Sequence, residues 1–426
     1  MTAAVGPALD HEADVNSAAG PARVLLLVPA RTYRAADFLT AASRLGVALA
    51  IGSDGALALG GHPVVHVSPT DLEGTAGRIM ALDGRFDAVV AADTPMLMLA
   101  AVVAERMGLP HNPVQAVIAA ADKAEQRRRW ADAAVAQPEF QLVPAGAPVD
   151  AVRRAAAVTG FPCVVKAVSL SASQGILRAD DPPAAVAAAL RIRRIVAASG
   201  RPAGEPLLVE RYVPGYELSI DGLLTNGGLA VTAVFDKPEM PEGPTFEETM
   251  LVTPSRLPRP VLAGAIATAG RAARALGLTR GPIHAELRID QRGAPAKPVM
   301  LELAARTIGG LCSRALRFGG GVSLEELVLA HALGHPTPRH HTARPSGVLM
   351  LPVPRQGVLR AIEGRADAAA VPGITGLTVT IPAGQRVHPL PDGDRYLGFI
   401  FAEADTPEAV ENALGAARGH VRVLIE

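Results

Sequence analysis

The sequence predicts a protein of mixed α/β and α+β class, with an open α/β domain first and a small α+β domain last. Over about 22–115, short apolar runs typical of buried parallel strands alternate with helical stretches, which is the pattern of an open α/β sheet. From about 336 the chain is rich in Pro, His and Arg, and it then continues as short strands and one helix. Because domains usually hold about 100–200 residues, the 426-residue chain has room for a middle domain over 116–335.

In the first domain, apolar runs and their stop signals define the elements. The run VLLLV within 23–31 predicts a buried strand, and Gly46 ends the helix that follows it. The predicted elements are strands at 23–31, 47–51 and 86–93 and helices at 35–45 and 97–107. Open parallel sheets bind ligands at the carboxyl ends of their strands, so the loops at that edge are candidates for a site.

In the middle domain, capping residues and a turn signal mark the elements. Asp122 is a suitable N-cap for a helix that begins at Lys123, and Thr225-Asn-Gly-Gly is a strong hairpin signal. We expect helices from 123 and over 149–158, 182–198 and 260–276, and strands at 162–168, 207–213, 217–224, 229–236, 282–290 and 298–304. Ser323 and Glu326 form a capping box that opens a further helix.

The last domain is predicted from short strands that follow a linker. Strands are expected to begin near Gly347, Gly357, Gly376 and Tyr396, with a helix from Thr406-Pro407 and a final strand at 421–425.

Composition argues against several classes of protein. The 41 Lys and Arg residues balance 41 Asp and Glu residues, and aromatic residues make up only 3% of the chain. A nucleic-acid-binding protein usually carries a basic surface, and a single-strand binder needs aromatic platforms, so neither is expected. The apolar stretch over 95–104 ends at Glu105 and is too short to span a membrane.

The first 21 residues and the two cysteines indicate the compartment. Residues 1–21 contain acidic residues and no basic segment, which predicts a disordered leader rather than a signal peptide. A secreted disulfide framework would need more cysteines than Cys163 and Cys312, and we expect both to be structural. A cytoplasmic protein is therefore expected.

Charged residues within the middle domain are candidates for chemistry on phosphates. Lys166 lies in the apolar strand VVKAV just before the small-residue loop Ser169–Gly175, and a lysine with such a loop can contact one phosphate chain. An edge-strand lysine that points to water is the alternative. No GxxxxGK[ST] motif occurs, and no GxGxxG follows the first strand, so a nucleotide site would be of neither common type.

Two carboxylates and one arginine suggest a metal and an anionic substrate. Glu286 and Glu302 lie on the two strands of the second hairpin, where their side chains can lie close together. Two like charges there are costly unless a cation bridges them, although two solvent-facing carboxylates are the alternative. Arg306 precedes Gly309 and Gly310, where an anion could approach a guanidinium and backbone amides together.

In this order and spacing, these residues resemble the ATP-grasp superfamily, and more narrowly the carboxylate–amine ligases typified by L-amino acid ligases. The resemblance covers nearly the whole chain. It depends on Lys123, Lys166, the Ser169–Gly175 loop, the segment 210–217, Glu286 and the Glu302-x-x-x-Arg306 motif. Further similarities lie at Thr32–Asp37, Phe235–Pro238, Pro389–Pro391 and Tyr396–Phe399. The resemblance implies an ATP-grasp fold with an N-terminal pre-ATP-grasp domain and a lid subdomain over about 150–215.

The resemblance also implies a role for each matched residue. It assigns ATP binding to Lys123, Lys166, Ser171, Ser173, Gly175, Glu210, Arg211, Tyr212, Val213 and Glu217. Within that set, the lysines and the loop would contact phosphates, Glu210 the adenine amino group, residues 211–213 the base through their backbone, and Glu217 the ribose. Glu286 and Glu302 would bind Mg²⁺, or Mn²⁺ in its place. Arg306, Gly309 and Gly310 would stabilise the substrate carboxylate and its acyl phosphate.

The substrates implied are a small carboxylate and an amine, with amino acids or related acids as the substrate class and ADP and phosphate as products. Dimers are common among similar enzymes, so a homodimer is compatible with the resemblance. His284 shares a strand face with Glu286 and is a candidate for orienting the amine, with a structural histidine as the alternative. Arg314 is a further candidate for carboxylate binding. Asp236, Lys237, Glu247 and Glu248 could cover the substrate or form a solvated charged loop.

One departure from the ATP-grasp pattern keeps other functions open. Many ATP-grasp enzymes have Asn two residues after the second metal-binding Glu, and this chain has Ala304 there. A second Mg²⁺ would then be held less tightly, or by substrate and water. The alternatives to a ligase are an ATP-grasp carboxylase or purine-pathway-like enzyme, and a catalytically impaired ATP-binding regulatory protein.

Overall fold

A computed structural model describes residues 20–56, 62, 64–201, 204–239, 242–293, 296–338 and 344–426. The leader predicted for residues 1–21 falls almost wholly outside the described residues.

The α-helices are α1 Ala35–Leu45, α2 Leu72–Met80, α3 Leu97–Met107, α4 Val114–Ala121, α5 Lys123–Asp132, α6 Val149–Thr159, α7 Pro182–Ala198, α8 Arg259–Ala275, α9 Leu324–Ala332, α10 Arg365–Ala370 and α11 Pro407–His420. The first strands are β1 Arg23–Val28, β2 Ala48–Ser53, β3 Val64–His66, β4 Ala88–Ala91, β5 Phe140–Val143, β6 Cys163–Ala167, β7 Ile176–Ala179, β8 Leu207–Arg211, β9 Tyr216–Thr225 and β10 Gly228–Asp236. The others are β11 Met250–Thr253, β12 Gly281–Asp290, β13 Lys297–Ala304, β14 Ser346–Leu351, β15 Gly357–Glu363, β16 Ile374–Val379, β17 Arg386–Val387, β18 Gly398–Glu403 and β19 Arg422–Ile425.

The first sheet is the open parallel sheet that the sequence predicts. Its strand order is β3-β2-β1-β4, and every pairing in it is parallel. The apolar side chains of β1 from Val24 to Val28 are fully buried, as expected of a central parallel strand. Gly46 adopts the left-handed conformation and ends α1 where the sequence predicts. The carboxyl end of β4 leads directly to Asp93 and Thr94, which reach the candidate site described below.

The second sheet is a small antiparallel layer with the order β5-β8-β6-β7. It packs on α6 and α7, and the Asp181 side chain caps α7 by accepting the amide of Ala184. Because β6 lies between β8 and β7, Lys166 is on an internal strand of this sheet, and it is 7% exposed. The alternative of an edge-strand lysine in water is therefore wrong.

The third sheet has eight strands in the order β13-β12-β9-β10-β11-β14-β18-β16. The turn between β9 and β10 forms at Asn226 and Gly227, both with positive φ, as the hairpin signal predicts. Strand β14, from the predicted last domain, pairs with β11 from the predicted middle domain, so one sheet runs through both segments. α8 and α9 and the buried side chains of β9, β12 and β13 form the core behind the candidate site.

The last segment adds a three-stranded sheet of order β17-β15-β19, and α10 and α11 pack against its apolar cluster. The capping box of Ser323 and Glu326 and the cap from Thr406 to α11 are both present, which confirms those two predictions. Within the described parts of the chain, every helix is too short or too polar to cross a membrane.

Candidate active site

The floor of the site is one face of three neighbouring strands, β9, β12 and β13. Side chains alternate between the faces of a strand, so Glu217, Ser219 and Asp221 of β9 share a face. On β12 they are paired with Arg288, Glu286 and His284 respectively. Glu302 of β13 lies directly opposite Glu286, which confirms the predicted cross-strand pair. The alternation therefore gathers four carboxylates and two basic groups on one surface.

A first cavity of about 580 Å³ lies between this floor and the second sheet. Val164 and Leu301 give it apolar walls, and Lys166 and Glu286 give it charge. The predicted ATP-binding residues that line it are Lys166, Ser173, Glu210, Arg211, Tyr212, Val213 and Glu217. Such an apolar slot with a charged end has the chemistry of a nucleotide site, because a base needs apolar walls and phosphates need cations.

Glu210 is held between two basic residues at the end of β8. Its carboxylate accepts Arg127 Nε at 2.7 Å and pairs with Lys166 Nζ at 2.7 Å, and the side chain is 1% exposed. Burial raises the pKa of this carboxyl, but Arg127 and Lys166 outweigh it and lower the pKa to about 2. Arg127 also donates to the carbonyl of Leu301, which joins α5 to the cavity wall. Lys166 is thereby fixed at the cavity.

Lys123 connects the loop after β6 to the floor. Its ammonium donates to the carbonyl of Leu170 at 2.5 Å and lies 3.0 Å from Glu302 Oε1. Asp122 accepts the amides of Ala124 and Glu125 and so begins α5 as predicted. The first helical residue, Lys123, is therefore directed at the carboxylate predicted to bind metal.

Lys237 lies between three carboxylates and is 3% exposed. Its ammonium is 2.8 Å from Glu217 Oε1 and 3.7 Å from Glu286 Oε1, and it also donates to Glu248. Burial lowers the pKa of this ammonium, but the carboxylates outweigh it and raise the pKa well above its ordinary value. Oxygens of the three carboxylates lie within 4.8 Å of one another, close enough to share a cation. Asp236 is fully buried as well, so the alternative of a solvated charged loop is wrong for Asp236 and Lys237.

A second cavity of about 830 Å³ adjoins the first. Five residues line both cavities, namely Ser173, Ile176, Glu248, Glu286 and Glu302. Beyond this shared wall, Tyr33, Met350 and Tyr396 give the second cavity an apolar side. The four residues predicted to act on the substrate, His284, Arg306, Gly309 and Gly310, all line it.

Arg306 is held in place by the first domain and by its own backbone neighbour. Its Nε donates to Thr94 Oγ1 and its Nη1 to the carbonyl of Thr307, both at 2.8 Å. Arg34 is buried beneath it and donates to the carbonyl of Ala92 and to Thr307 Oγ1. The guanidinium of Arg306 is therefore anchored on one side and faces the second cavity.

Gly310 is a position where backbone geometry requires glycine. Its φ is +62°, and a Cβ atom there would lie 2.7 Å from Phe399 Cε1. Phe399 belongs to an aromatic cluster with Tyr33 and Tyr396, at ring-centroid distances of 5.8 and 6.1 Å. The Gly309-Gly310 turn can therefore line the second cavity, described above, only without a side chain at Gly310.

His284 bridges two acids on the floor. Its Nδ1 is 3.1 Å from Asp221 Oδ2 and its Nε2 is 3.4 Å from Glu286 Oε1. Burial lowers the pKa of the imidazole, but Asp221 and Glu286 outweigh it and raise the pKa to about 9. At neutral pH the ring is a charged donor to both carboxylates.

Other predicted residues lie at the margin of the cavities or away from them. Gly175 is packed against Ala167 and Leu170 at the end of the loop, and Ser171 is exposed on it. Neither of the two lines either cavity. Arg314 pairs with Asp37 at 3.0 Å, and it joins α1 to the last segment rather than facing a cavity. Burial raises the pKa of the Cys312 thiol, consistent with the structural role expected of it.

The structure adds residues that the sequence did not single out. Arg288 donates to Glu217 Oε2 at 2.7 Å and to the carbonyl of Val213 at 2.8 Å. Asp221 holds His284 and also accepts the amide of Ile308. Residues two apart on a strand share a face, so the rule that places His284 beside Glu286 on β12 also places Arg288 on that face. On β9 the same rule places Asp221 on the face of Glu217. Phe246, which lines the first cavity, carried no comparable signal.

Comparison with family models identifies two regions of the chain. Residues 159–315 match the ATP-grasp domain, and residues 349–426 match the L-amino acid ligase C-terminal domain 2. Together these regions contain β6, β7 and β8 of the second sheet, the floor of the site and the strands from β15 to β19.

Among curated proteins, an uncharacterised protein of Sinorhizobium fredii, y4rH, is 25% identical over 362 residues, which cover 83% of this chain and 72% of that protein. Carnosine synthase 1 of Gallus gallus is 33% identical over 173 residues, but these cover 38% of this chain and only 18% of that protein.

Solved structures share the fold over nearly the whole chain. An L-amino acid ligase from Bacillus licheniformis matches with a TM-score of 0.75 at 22% identity, covering 94% of this chain and 98% of that one. A carboxyaminoimidazole ribonucleotide synthase from Aspergillus clavatus, solved with ATP, matches with a TM-score of 0.72 at 14% identity, covering 94% and 99%. The ATP-grasp fold expected from the sequence is therefore confirmed.

Proposed function

We propose that this chain, which matches the ATP-grasp domain over 159–315 and the L-amino acid ligase C-terminal domain 2 over 349–426, is an ATP-grasp ligase that forms an amide or peptide bond between a small carboxylate and an amine. Transfer of the terminal phosphoryl group of ATP to the carboxylate forms an acyl phosphate, and ADP and phosphate are the products released. We also propose domains over 22–115, 116–335 and 336–426, a cytoplasmic location, and a homodimer.

The observation that carries the proposal is the wall that the two cavities share. The first cavity has the composition of a nucleotide site, and the second contains Arg306 and the Gly309-Gly310 turn. Because Glu286 and Glu302 line both, a terminal phosphate reaching out of the first cavity would meet a carboxylate bound in the second. Phosphoryl transfer depends mainly on such positioning and on charge neutralisation.

ATP binding is proposed for the first cavity. Val164 and Leu301 would cover the base, and Lys166 would contact the phosphates from its fixed position beside Glu210. The amides of Arg211 and Tyr212 already donate to the carbonyls of Glu139 and Pro162. Among the described backbone groups, the Val213 amide has no such acceptor, so it is the hinge donor that we assign to the base.

Glu286 and Glu302 fit a Mg²⁺ or Mn²⁺ ion by the chemistry of their oxygen donors. Both side chains are about one quarter exposed, and both form part of the wall that the two cavities share. The bound ion would supply charge neutralisation for the phosphates. Lys123 and His284 each hold one of these carboxylates, which keeps the pair in place.

In the proposed reaction, a carboxylate oxygen of the acid attacks the terminal phosphorus of ATP and ADP leaves. The amine then attacks the acyl carbon, phosphate leaves with one oxygen of the original acid, and the amine loses a proton to solvent. Arg306 and the amides of Gly309 and Gly310 would stabilise the negative oxygens in both steps. Because both ring nitrogens of His284 face carboxylates, those of Asp221 and Glu286, we assign it to holding Glu286 rather than to accepting that proton.

The decisive experiment uses pools of amino acids and related acids labelled with ¹⁸O in the carboxylate. We expect ADP release that requires both an acid and an amine, an amide product by mass, and one ¹⁸O atom in the released phosphate. Unlabelled phosphate would contradict the acyl phosphate. ADP release that requires bicarbonate would favour a carboxylase, and ATP binding without turnover on any pair would favour a regulatory protein.

A further inference from the structure

Two loops from distant parts of the chain meet at the opening of the cavities. One is the loop Ser169–Gly175 after β6, and the other, which we call the tail loop, is Pro389–Tyr396 before β18. The Gln174 side-chain amide donates to the carbonyl of Asp392 at 2.9 Å, and the Gly175 amide donates to the carbonyl of Pro391 at 3.3 Å. The Asp392 carboxylate also pairs with Arg191 of α7.

The loop after β6 has few internal contacts to fix its shape. Its small residues Ala172 and Ser173 both have positive φ, a conformation that costs energy for residues other than glycine. Its internal backbone bonds are from the Gln174 amide to the Ser171 carbonyl and from the Ala167 amide to the Gly175 carbonyl. Lys123 and Glu205 hold the first half of the loop through Leu170 and Ser169, whereas the bonds to the tail loop hold the second half, next to Ser173.

The tail loop itself has a fixed shape. The amides of Asp392 and Gly393 both donate to the carbonyl of Pro389, and a Cβ atom on Gly393 would lie 2.1 Å from the His388 carbonyl oxygen. Two further residues of this loop, Asp394 and Tyr396, line the second cavity. One rigid loop thus contacts the proposed carboxylate site and also holds the loop that would cover the phosphates.

We propose that the tail loop positions the loop Ser169–Gly175 after β6, which would cover the phosphates of ATP. Asp392 and Gln174 are the positioning residues through which the tail loop acts. The inference rests on the proposed function for its link to the acid substrate. Since the tail loop lines the second cavity and also bonds to the loop after β6, the loop after β6 keeps the position seen in this structure only when the tail loop is in place. Breaking the contact between the two loops then allows ATP to be hydrolysed without formation of the amide, so that more ADP is released for each amide formed.

Hydrogen–deuterium exchange with a non-hydrolysable ATP analogue and Mg²⁺ tests the positioning without requiring any ligase reaction. Gln174→Ala removes the bond to the Asp392 carbonyl, and Asp392→Ala removes the ion pair that holds the tail loop on Arg191 of α7. We expect amides of 169–176 to exchange faster in both variants than in the wild type. Arg360→Ala is the matched control, because Arg360 forms an exposed ion pair with Glu426 in the same segment and lines neither cavity. Unchanged exchange in both variants would overturn the proposal.

Steady-state kinetics test whether the contact between the two loops couples ATP consumption to amide formation. Because Arg191 and Asp392 are both 42% exposed, we expect Asp392→Ala to raise the KM for ATP and the ratio of ADP to amide by a factor of up to about five. Arg191→Asp combined with Asp392→Arg should restore the ratio, which a general loss of stability would not do. An unchanged ratio would overturn the coupling. Faster exchange in the variants of a protein that makes no amide would contradict the proposed function and leave the positioning intact.

Discussion

Glu286 lies directly opposite Glu302 across β12 and β13, and each carboxylate is associated with a different lysine. Glu302 pairs with Lys123 from the first turn of α5, whereas Glu286 is near Lys237 from the end of β10. The two like charges are therefore tolerated without metal because each has a basic neighbour. An ion that binds between them would compete with both lysines for the carboxylates.

Glu302→Gln should reduce turnover by at least about a hundredfold, because it removes one of the two charges proposed to bind Mg²⁺ at the shared wall. The side chain keeps its shape, and its carboxylate is about one quarter exposed, so the thermal midpoint should change little. Steady-state kinetics over a Mg²⁺ titration, together with thermal unfolding, check both parts. Glu105→Gln, on the exposed face of α3, is the control, and wild-type rates in Glu302→Gln would reject the metal assignment.

Arg306→Ala should abolish amide formation, and Arg306→Lys should retain only a small part of the rate. Lysine can carry the charge, but it cannot donate to Thr94 and to the Thr307 carbonyl in the planar geometry of a guanidinium. The measurement is kcat and KM for the acid, with ATP-analogue binding as a check on the first cavity. A lysine variant as active as the wild type would show that geometry at this position is unimportant.

Lys166→Met should weaken ATP binding and also destabilise the fold. Removing one partner of a buried charge pair usually costs about 3–5 kcal/mol, although Arg127 remains to hold Glu210 and should reduce that cost. Equilibrium unfolding in urea and binding of an ATP analogue measure the two effects separately. A change confined to the KM for the amine would contradict the phosphate role.

The cluster of Glu210, Arg127 and Lys166 predicts how the free energy of unfolding depends on pH. The pKa of Glu210 is lowered to about 2 in the folded protein, whereas the unfolded chain has the ordinary value near 4.5. A lowered folded-state pKa contributes stability that is fully present above the unfolded value and is lost as pH falls from about 4.5 to about 2. Urea unfolding at pH 6, 4 and 3 should show a steeper loss in the wild type than in Glu210→Gln. An equal loss of unfolding free energy with falling pH in the two proteins would contradict the lowered pKa of Glu210.

Most of the framework could be predicted because its signals are local. Gly46, Asp122, Asp181 and the Thr225–Gly228 turn each fix an element end through backbone geometry or a cap that a few residues specify. Elements without such signals, among them α2, β5, β7 and β11, were not predicted. β7 and β11 are stabilised by pairing with β6 and β14, and that pairing depends on residues far away in sequence.

The site could be predicted to the extent that a motif or an alternation pattern identifies a residue. Glu286, Glu302 and Arg306 could be placed together, since they lie within one hairpin and the turn after it. The partners of those residues come from elsewhere: Thr94 follows β4, and Lys237 follows β10. Long-range contacts of this kind leave no mark in local sequence, so the burial of Lys237 became visible only in the folded chain.

Lys237→Met should destabilise the protein by about 3–5 kcal/mol, because it leaves Glu217, Glu248 and Glu286 close together and without their shared ammonium. Mg²⁺ should then raise the thermal midpoint more in the variant than in the wild type, since the ion can replace the lost charge. Lys297→Met, at an exposed position of β13, is the matched control and should respond like the wild type. Equal Mg²⁺ responses in all three proteins would show that Lys237 does not compete with a divalent cation for these carboxylates.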